Sequence, residues 1–407
     1  MQIVKLKKFL KKQLPEPLYN IIRDLSLSIK YKSENLNPQS ILDFCTISNN
    51  SSIHYFNEDR ITQICKPIYY PNNTAKCETI HMPPLYWTVL DNITIIGESN
   101  FIISEKKLLY DQYITNNINI TDTAFLDKRT IYKLDENAIV YYNRFSNKKI
   151  ETAISLVRNY SWNYYHFIFE FISQLWFLNQ CNIPENIPIV IDNCIKGIPQ
   201  YMEFLHILNK RPIIYLKRRE RLRVEKMYFL STVNIIPPNY IDFDRIKVDD
   251  NLFDSDFVKY LRNKMLPFAE LNNTHLFERI FISRKNNKNR SYNESEVEQV
   301  VKKYGYISIT PEGLSIKEQI AIFSHAKYII AASGAALTNM IYCNPQCKIV
   351  VLAGCQSELS VFSNIASILD LKLIYLTGKS EIQDSFQSNF IIDIEKLDSQ
   401  LINIGMA

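Results

Sequence analysis

The sequence predicts an α/β protein of two halves, and three observations lead there. At 407 residues the chain exceeds one ordinary core and suits two domains of about 150 to 200 residues each. From about residue 151 onward, short apolar runs of strand character alternate with segments of helical periodicity, the pattern of strands joined by crossover helices. Late in the chain, Ala326-Lys-Tyr-Ile-Ile-Ala-Ala-Ser-Gly-Ala-Ala-Leu-Thr-Asn339 runs from an apolar strand through a glycine turn into a helix start. There, free N–H groups and the helix dipole favour an anion, and Gly334 supplies backbone angles closed to other residues.

Residues 1 to about 30 read as a basic amphipathic helix interrupted at Pro15 and Pro17. In it Lys5, Lys7, Lys8, Lys11 and Lys12 surround Ile3, Val4, Leu6, Phe9, Leu10 and Leu14. Such a segment, set at 1–35, either packs as a solvated cap or rests at an anionic membrane surface. Residues 36 to about 150, rich in Asn, Ser and Thr with runs such as Thr94-Ile-Ile96 and Ala138-Ile-Val-Tyr-Tyr142, suggest an irregular β-containing lead-in. From 151 to 265, a helix over Asn163 to Asn179, a strand over Ile187 to Ile191, a helix over Gln200 to Leu208 and a strand over Ile213 to Tyr215 make a Rossmann-like half. The polar stretch Glu270 to Thr274 is the boundary, giving domains at 36–268 and 269–407. The second half runs from the strand Arg279 to Ile282 through the glycine turn, a helix over Ala335 to Tyr342 and a strand over Lys348 to Leu352. It closes with Phe390 to Ile394 and an amphipathic segment.

Composition narrows the function. A net charge of +5 is slight for this length and lacks the basic stripe of a nucleic-acid binder. No stretch of about 18 apolar residues spans a membrane, and the N-terminus lacks the apolar core of a secretory signal, so a cytoplasmic protein, peripheral at most to the inner membrane face, is expected. Eight cysteines show no paired short spacing of zinc type and read as reduced, mostly buried thiols.

In the helix from Asn163, positions 163, 166 and 170 share a face, joining Asn163, His166 and Glu170 amid Trp162, Tyr164, Tyr165, Phe167 and Trp176. Aromatic rings stack on sugars, polar groups hold hydroxyls, and an imidazole or carboxylate accepts a proton. A packing cluster explains the same residues. Arg284 ends an apolar strand, where ligands bind in open α/β sheets, and with Arg290 it clamps a diphosphate or else lines a solvated loop. Asn293 with Glu296, and Ser315 with Glu318, fit helix capping.

These pieces, in this order, resemble glycosyltransferase family 61. The resemblance lies in Asn163-Tyr-Tyr-His166 with Glu170, in Arg284 to Arg290 with Asn293-Glu294, in Pro311-Glu-Gly-Leu-Ser315 with Glu318-Gln319, and in Gly334-Ala-Ala-Leu-Thr-Asn339, roughly residues 155 to 355. It implies a GT-B fold of two Rossmann-like domains and an inverting, metal-independent transfer of sugar from a nucleotide-sugar, a UDP-sugar by expectation, to a glycan acceptor in cell-surface polysaccharide synthesis. No cofactor is implied. Glu170 and His166 take the catalytic places. Arg284, Arg290, Glu318 (with Glu312 competing for the ribose), Ser333, Gly334, Ala335, Leu337, Thr338 and Asn339 take the donor side, and Asn163 and Trp162 the acceptor side. Where the family has His-Gly-Ala-Gly, this chain has Ser333-Gly334-Ala335-Ala336. Serine bonds a phosphate without cationic charge, which opens a second reading, a non-catalytic sugar- or nucleotide-binding protein.

Overall fold

The computed structural model describes residues 31–48, 52–72, 74–112, 131–134, 138–143, 146–236, 246–272, 274–285, 289–382 and 385–407. The lysine-rich segment expected over residues 1 to 30 lies outside them. The strands of the first sheet and its hairpin are β1 (Tyr31–Ser40), β2 (Ile53–Tyr55), β3 (Arg60–Cys65), β4 (Cys77–Met82), β5 (Tyr86–Ile96), β6 (Ile102–Ser104), β7 (Lys107–Tyr110), β8 (Ile131–Leu134), β9 (Ala138–Asn143), β10 (Lys148–Ser155), β11 (Ile189–Asp192), β12 (Ile213–Leu216) and β13 (Arg221–Leu230). Those of the second sheet are β14 (Arg279–Ile282), β15 (Ile307–Ile309), β16 (Tyr328–Ala332), β17 (Lys348–Ala353) and β18 (Lys372–Thr377). The protein is mixed α/β, and no described helix is long and apolar enough to cross a membrane.

The first sheet has 11 strands, in the order β12-β11-β10-β13-β5-β6-β7-β1-β9-β8 with β2 on β5. Its first four are mutually parallel, and β5 then pairs antiparallel to β13, Val224 opposite Ile93. The lead-in, expected to be irregular, therefore continues the first sheet as regular strands. The long strand β13 presents a free edge whose N–H and C=O groups need partners, and β5, with its own alternating burial, supplies them. The second sheet is parallel throughout, in the order β15-β14-β16-β17-β18. Its three central strands carry continuous buried apolar runs (Ile280 to Ile282, Ile329 to Ala332, Ile349 to Ala353), as a sheet covered on both faces requires.

Strand order reverses once in each parallel set, between β10 and β13 and between β14 and β16. Adjacent connections there leave towards opposite faces, so a crevice opens beyond the carboxyl ends of the strands, where α/β proteins hold ligands.

The halves are joined through one apolar core. Phe167 stacks on Tyr201 with ring centroids 3.9 Å apart, and the same cluster takes in Phe171 and Phe204 of the first half with Ile316, Ile320, Leu337 and Met340 of the second. The β3–β4 hairpin adds a second fastening. Its loop reaches the outer strand β18, where Tyr70 N–H donates to Tyr375 O at 3.0 Å and Tyr375 N–H to Ile68 O at 2.8 Å. At its base Cys65 and Cys77, opposite one another in register, form a disulfide, against the expectation of reduced thiols. Spacing along the chain did not reveal a cross-strand pair 12 residues apart. The remaining six cysteines are free thiols.

Candidate active site

At the crevice between β14 and β16, Arg284 follows the last strand residues by two positions. Its backbone N–H donates to both carboxylate oxygens of Glu294 at 3.1 and 3.0 Å, and Ser283 Oγ donates to the same carboxylate at 2.5 Å. Glu294 opens the helix Glu294–Lys303 and is itself buried, so it fixes the strand-end loop. The sequence contains this residue in the Asn293-Glu294 pair but gives no sign of its role. Asn293 does not cap that helix with its side chain; it hydrogen-bonds Glu296 and both main-chain groups of Ile392 instead.

The Arg284 guanidinium crosses to the next loop, where Nη1 donates to Ser333 O and Nη2 to Asn289 O at 3.2 Å. This contact gives the glycine turn its reason. Gly334 has φ 173 and ψ 170, an extended conformation open to any residue, so the expectation of special backbone angles is not met. A Cβ placed there would lie 3.2 Å from Arg284 Nη1 and 3.3 Å from Cζ. Glycine is needed for close approach, not for torsional freedom. The segment beyond, Ala335–Tyr342, is a 3-10 helix, tighter than the α-helix expected, with Leu337 N–H bonded to Gly334 O at 3.0 Å. Its first N–H groups still lack partners within the helix. Arg290 stands close by in the left-handed region at φ 54, its guanidinium 6.0 Å from the centre of the Phe386 ring. Burial, and then repulsion from Arg284, lower its pKa to about 10. Burial also lowers that of Arg284, against the pull of Tyr292, Glu294 and Glu312. Two partly desolvated guanidiniums that repel one another form a place for an anion.

The remaining donor-side candidates divide. Ala335, Ala336 and Asn339 border a cavity of about 390 Å³ between the halves, together with Trp162, Asn163, Tyr164, Tyr201, Glu312 and Gln319. Leu337 and Thr338 are fully buried and do not reach it, because a three-residue turn directs those positions into the core. Asn339, also buried, receives a hydrogen bond from Tyr164 Oη at 2.6 Å and donates to Gln319 Oε1 at 2.7 Å, so its amide links the halves. Ser333 is buried, and its carbonyl accepts from Arg284. Glu318 closes the capping box with Ser315, accepting from its N–H at 2.7 Å and its hydroxyl at 2.8 Å, so the carboxylate serves the helix start and not a ribose. Glu312, exposed at the cavity edge, has a carboxylate open to ligand hydroxyls.

Across the cleft, Asn163 caps the helical run Tyr164–His166, Phe167–Ile172 and Ser173–Leu178, its Oδ1 accepting from Tyr165 N–H at 3.0 Å. The middle part is π-helical, a local widening frequent at functional sites. His166 Nδ1 lies 2.5 Å from Glu170 Oε2. The His166 side chain keeps 17% of its surface exposed and that of Glu170 only 6%, so the imidazole is the accessible member. The His166 ring packs 5.3 Å from Tyr160, which in turn sits 6.2 Å from Trp162, 44% exposed at the cavity edge. His166 and Glu170 themselves are not in its lining. Behind them, Asp192 at the end of β11 accepts from Glu98 N–H at 2.7 Å, Arg158 N–H at 2.9 Å and Ser161 Oγ at 2.5 Å. Burial raises its carboxyl to about 7 in spite of these donors. Sequence reasoning passed over Asp192 and Arg158, and named Tyr164 and Glu294 without the contacts they make here. Arg158 carries the signal that singled out Arg284, an arginine just beyond the end of a strand. Among the described residues, no group of three or more His, Cys, Asp or Glu side chains is placed to hold a metal ion.

The fold is of mixed α/β class, with a glycine turn beside paired arginines in one half and an imidazole backed by a carboxylate in the other. More narrowly, the family model Glycosyltransferase 61 matches residues 164–350, which include His166, Glu170, Arg284 and Gly334. This stretch resembles glycosyltransferase family 61 and supports glycosyltransferase activity, which implies a donor and an acceptor as substrates. None of the curated proteins gives a significant match to the chain.

Proposed function

We propose that the chain is an inverting glycosyltransferase of GT-B type that moves a sugar from a UDP-sugar to a hydroxyl of a glycan acceptor, in the assembly of a cell-surface polysaccharide on the cytoplasmic side of a membrane. The observation that carries this reading is the pairing of the two switch points across one cleft, bridged by Tyr164 and Asn339. The diphosphate lies against Arg284, Arg290 and the amides after Gly334, and Glu312 takes the ribose. The acceptor stacks near Trp162 and Tyr160, and the lysines of residues 1–30 rest on anionic lipid.

The chemistry is a single displacement. His166, with Nδ1 turned to Glu170, presents Nε2 to the acceptor hydroxyl and takes its proton as the oxygen attacks the anomeric carbon. The bond from that carbon to the diphosphate oxygen breaks on the opposite side, inverting the centre. Both electrons leave with the nucleotide diphosphate, whose growing charge meets two arginines and backbone N–H groups already in place. No metal is assigned a step.

Thermal unfolding with UDP and a panel of UDP-sugars tests the donor site. At a hundredfold excess over the dissociation constant, binding adds about 2.7 kcal/mol of stability. No rise in Tm with any nucleoside diphosphate or nucleotide-sugar removes the reading. The replacement of the family histidine by Ser333 favours one alternative, a binding protein without turnover. Donor binding with no transfer and no donor hydrolysis would establish it.

A further inference from the structure

We propose that Gln200 is a positioning residue for the donor nucleotide: from the first half of the chain it fixes the turn that carries Glu312, so that the ribose end of the donor site is built by both halves. The inference rests on the donor reading given above and deepens it, assigning part of that site to the half across the cleft.

Glu312 sits on the 3-10 turn Pro311–Gly313, exposed at the edge of the cavity. A turn this short satisfies few of its own carbonyls, and their partners have to come from elsewhere. Leu314 N–H returns to Pro311 O at 3.0 Å, and two glutamine amides do the rest. Gln319 Nε2, from the same half, donates to Pro311 O at 2.9 Å and to Leu314 O at 3.1 Å. Gln200 Nε2, in the first turn of the helix Pro199–Leu208, donates to Glu312 O at 3.2 Å and to Leu314 O at 3.0 Å. Gln319 thus holds the turn on either side of Glu312, and Gln200 reaches the main chain of Glu312 itself. Three positions along the same helix face, Glu203 Oε2 accepts from Ile316 N–H at 3.1 Å, a second grip on the segment that follows the turn.

The direction of these bonds carries the arrangement further. Carbonyl oxygens only accept, so Gln319 turns Nε2 toward Pro311 and Leu314 and leaves Oε1 for Asn339. Asn339 therefore donates through Nδ2, at 2.7 Å, and its Oδ1 accepts from Tyr164 Oη at 2.6 Å. Tyr164 belongs to the first half, as Gln200 does. The run Tyr164, Asn339, Gln319, Leu314, Gln200 begins and ends on that half and passes through the turn of the other, and Tyr164, Asn339, Gln319 and Gln200 all border the cavity of about 390 Å³. Tyr201, next to Gln200, donates from Oη to Trp162 O at 3.0 Å, so the same helix also steadies the acceptor-side tryptophan. A carboxylate on a turn held from both sides needs little ordering when a ligand arrives, and that ordering is a cost binding would otherwise have to offset.

Gln200→Met tests this, because methionine keeps the length of the side chain and the helix while removing the donor, at a half-buried position outside the core. Calorimetric titration of the full chain compares UDP with inorganic pyrophosphate, which carries two phosphates and no ribose. Gln200→Met should weaken UDP about tenfold and leave pyrophosphate within about twofold of wild type, since Arg284 and Arg290 are untouched. Glu312→Gln should show the same ligand pattern, and the double variant should lose little beyond the larger single loss, because both changes act on one contact. UDP affinity within about twofold of wild type in folded Gln200→Met overturns the proposal. Equal losses for UDP and pyrophosphate overturn it too, since they mark a general loosening of the halves. A wild-type protein that binds neither ligand removes the donor reading and the proposal with it, whereas one that binds UDP, with Gln200→Met unchanged, removes the proposal alone.

Discussion

Gly334→Ala tests the donor site at its tightest point. The new methyl would stand 3.2 Å from Arg284 Nη1, 3.3 Å from Cζ and 3.7 Å from Nε. These atoms end a flexible side chain, yet that side chain is pinned by the carbonyls of Ser333 and Asn289, and its own main chain is pinned by Glu294. The backbone at Gly334 is extended and accepts alanine without torsional strain, so the whole effect passes through the guanidinium. Moving it by a few tenths of an ångström breaks or bends the bond to Ser333, and a hydrogen bond to a charged group contributes about 1.5 to 3 kcal/mol. If that geometry holds the diphosphate, UDP affinity falls roughly 10- to 150-fold at about 1.4 kcal/mol per decade. Calorimetric titration of UDP into wild type, Gly334→Ala, Arg284→Ala and the double variant measures it. Arg284→Ala alone should lose about 2 to 5 kcal/mol, and adding Gly334→Ala to it should change little further, since the group it disturbs is gone. A folded Gly334→Ala protein with affinity within about twofold of wild type refutes the argument, as does full additivity in the double variant.

Glu170→Gln should retain the fold and UDP affinity while turnover drops about 10² to 10⁴-fold, because the imidazole loses the carboxylate that orients it; a folded variant with wild-type turnover excludes that role. Transfer should persist in excess chelator, since leaving-group charge is assigned to Arg284, Arg290 and backbone amides, and complete loss restored by manganese overturns this. Asp192, raised by burial to about 7 from an ordinary 3.8, binds its proton more tightly folded than unfolded. Its contribution is therefore fully present below about pH 4 and is lost as pH rises through about 7, so Tm should decline over that window in wild type and less steeply in Asp192→Asn; parallel curves exclude it. Arg60, 3.0 Å from Asp254 Oδ2 and 4% exposed, should cost about 3 to 5 kcal/mol as Arg60→Ala in urea unfolding, because Asp254 is left buried and unpaired; less than about 1 kcal/mol would contradict this.

The second sheet was largely legible in the chain. Its central strands are short apolar runs, and Arg284 and Gly334 mark two strand ends by residue type alone. Periodicity put His166 and Glu170 on one helix face, and the fold brings them to 2.5 Å. The cap at Ser315 was written as a local pattern and forms as one. All of these are interactions within a few residues, where spacing along the chain is spacing in space.

What the tertiary structure alone decided depends on residues far apart in sequence. The Gly334 requirement comes from the side chain of residue 284, 50 positions away, and not from its own torsions. Asn339 looks like a ligand until Tyr164, 175 positions earlier, is found on its amide. Cys65 and Cys77 meet because two strands pair in one register, and β5 joins β13 because an edge needs a partner. Residue type and periodicity fix which groups are present and which way a local element turns them. Which of those groups remain free for a ligand depends on the partners that long-range packing brings to them.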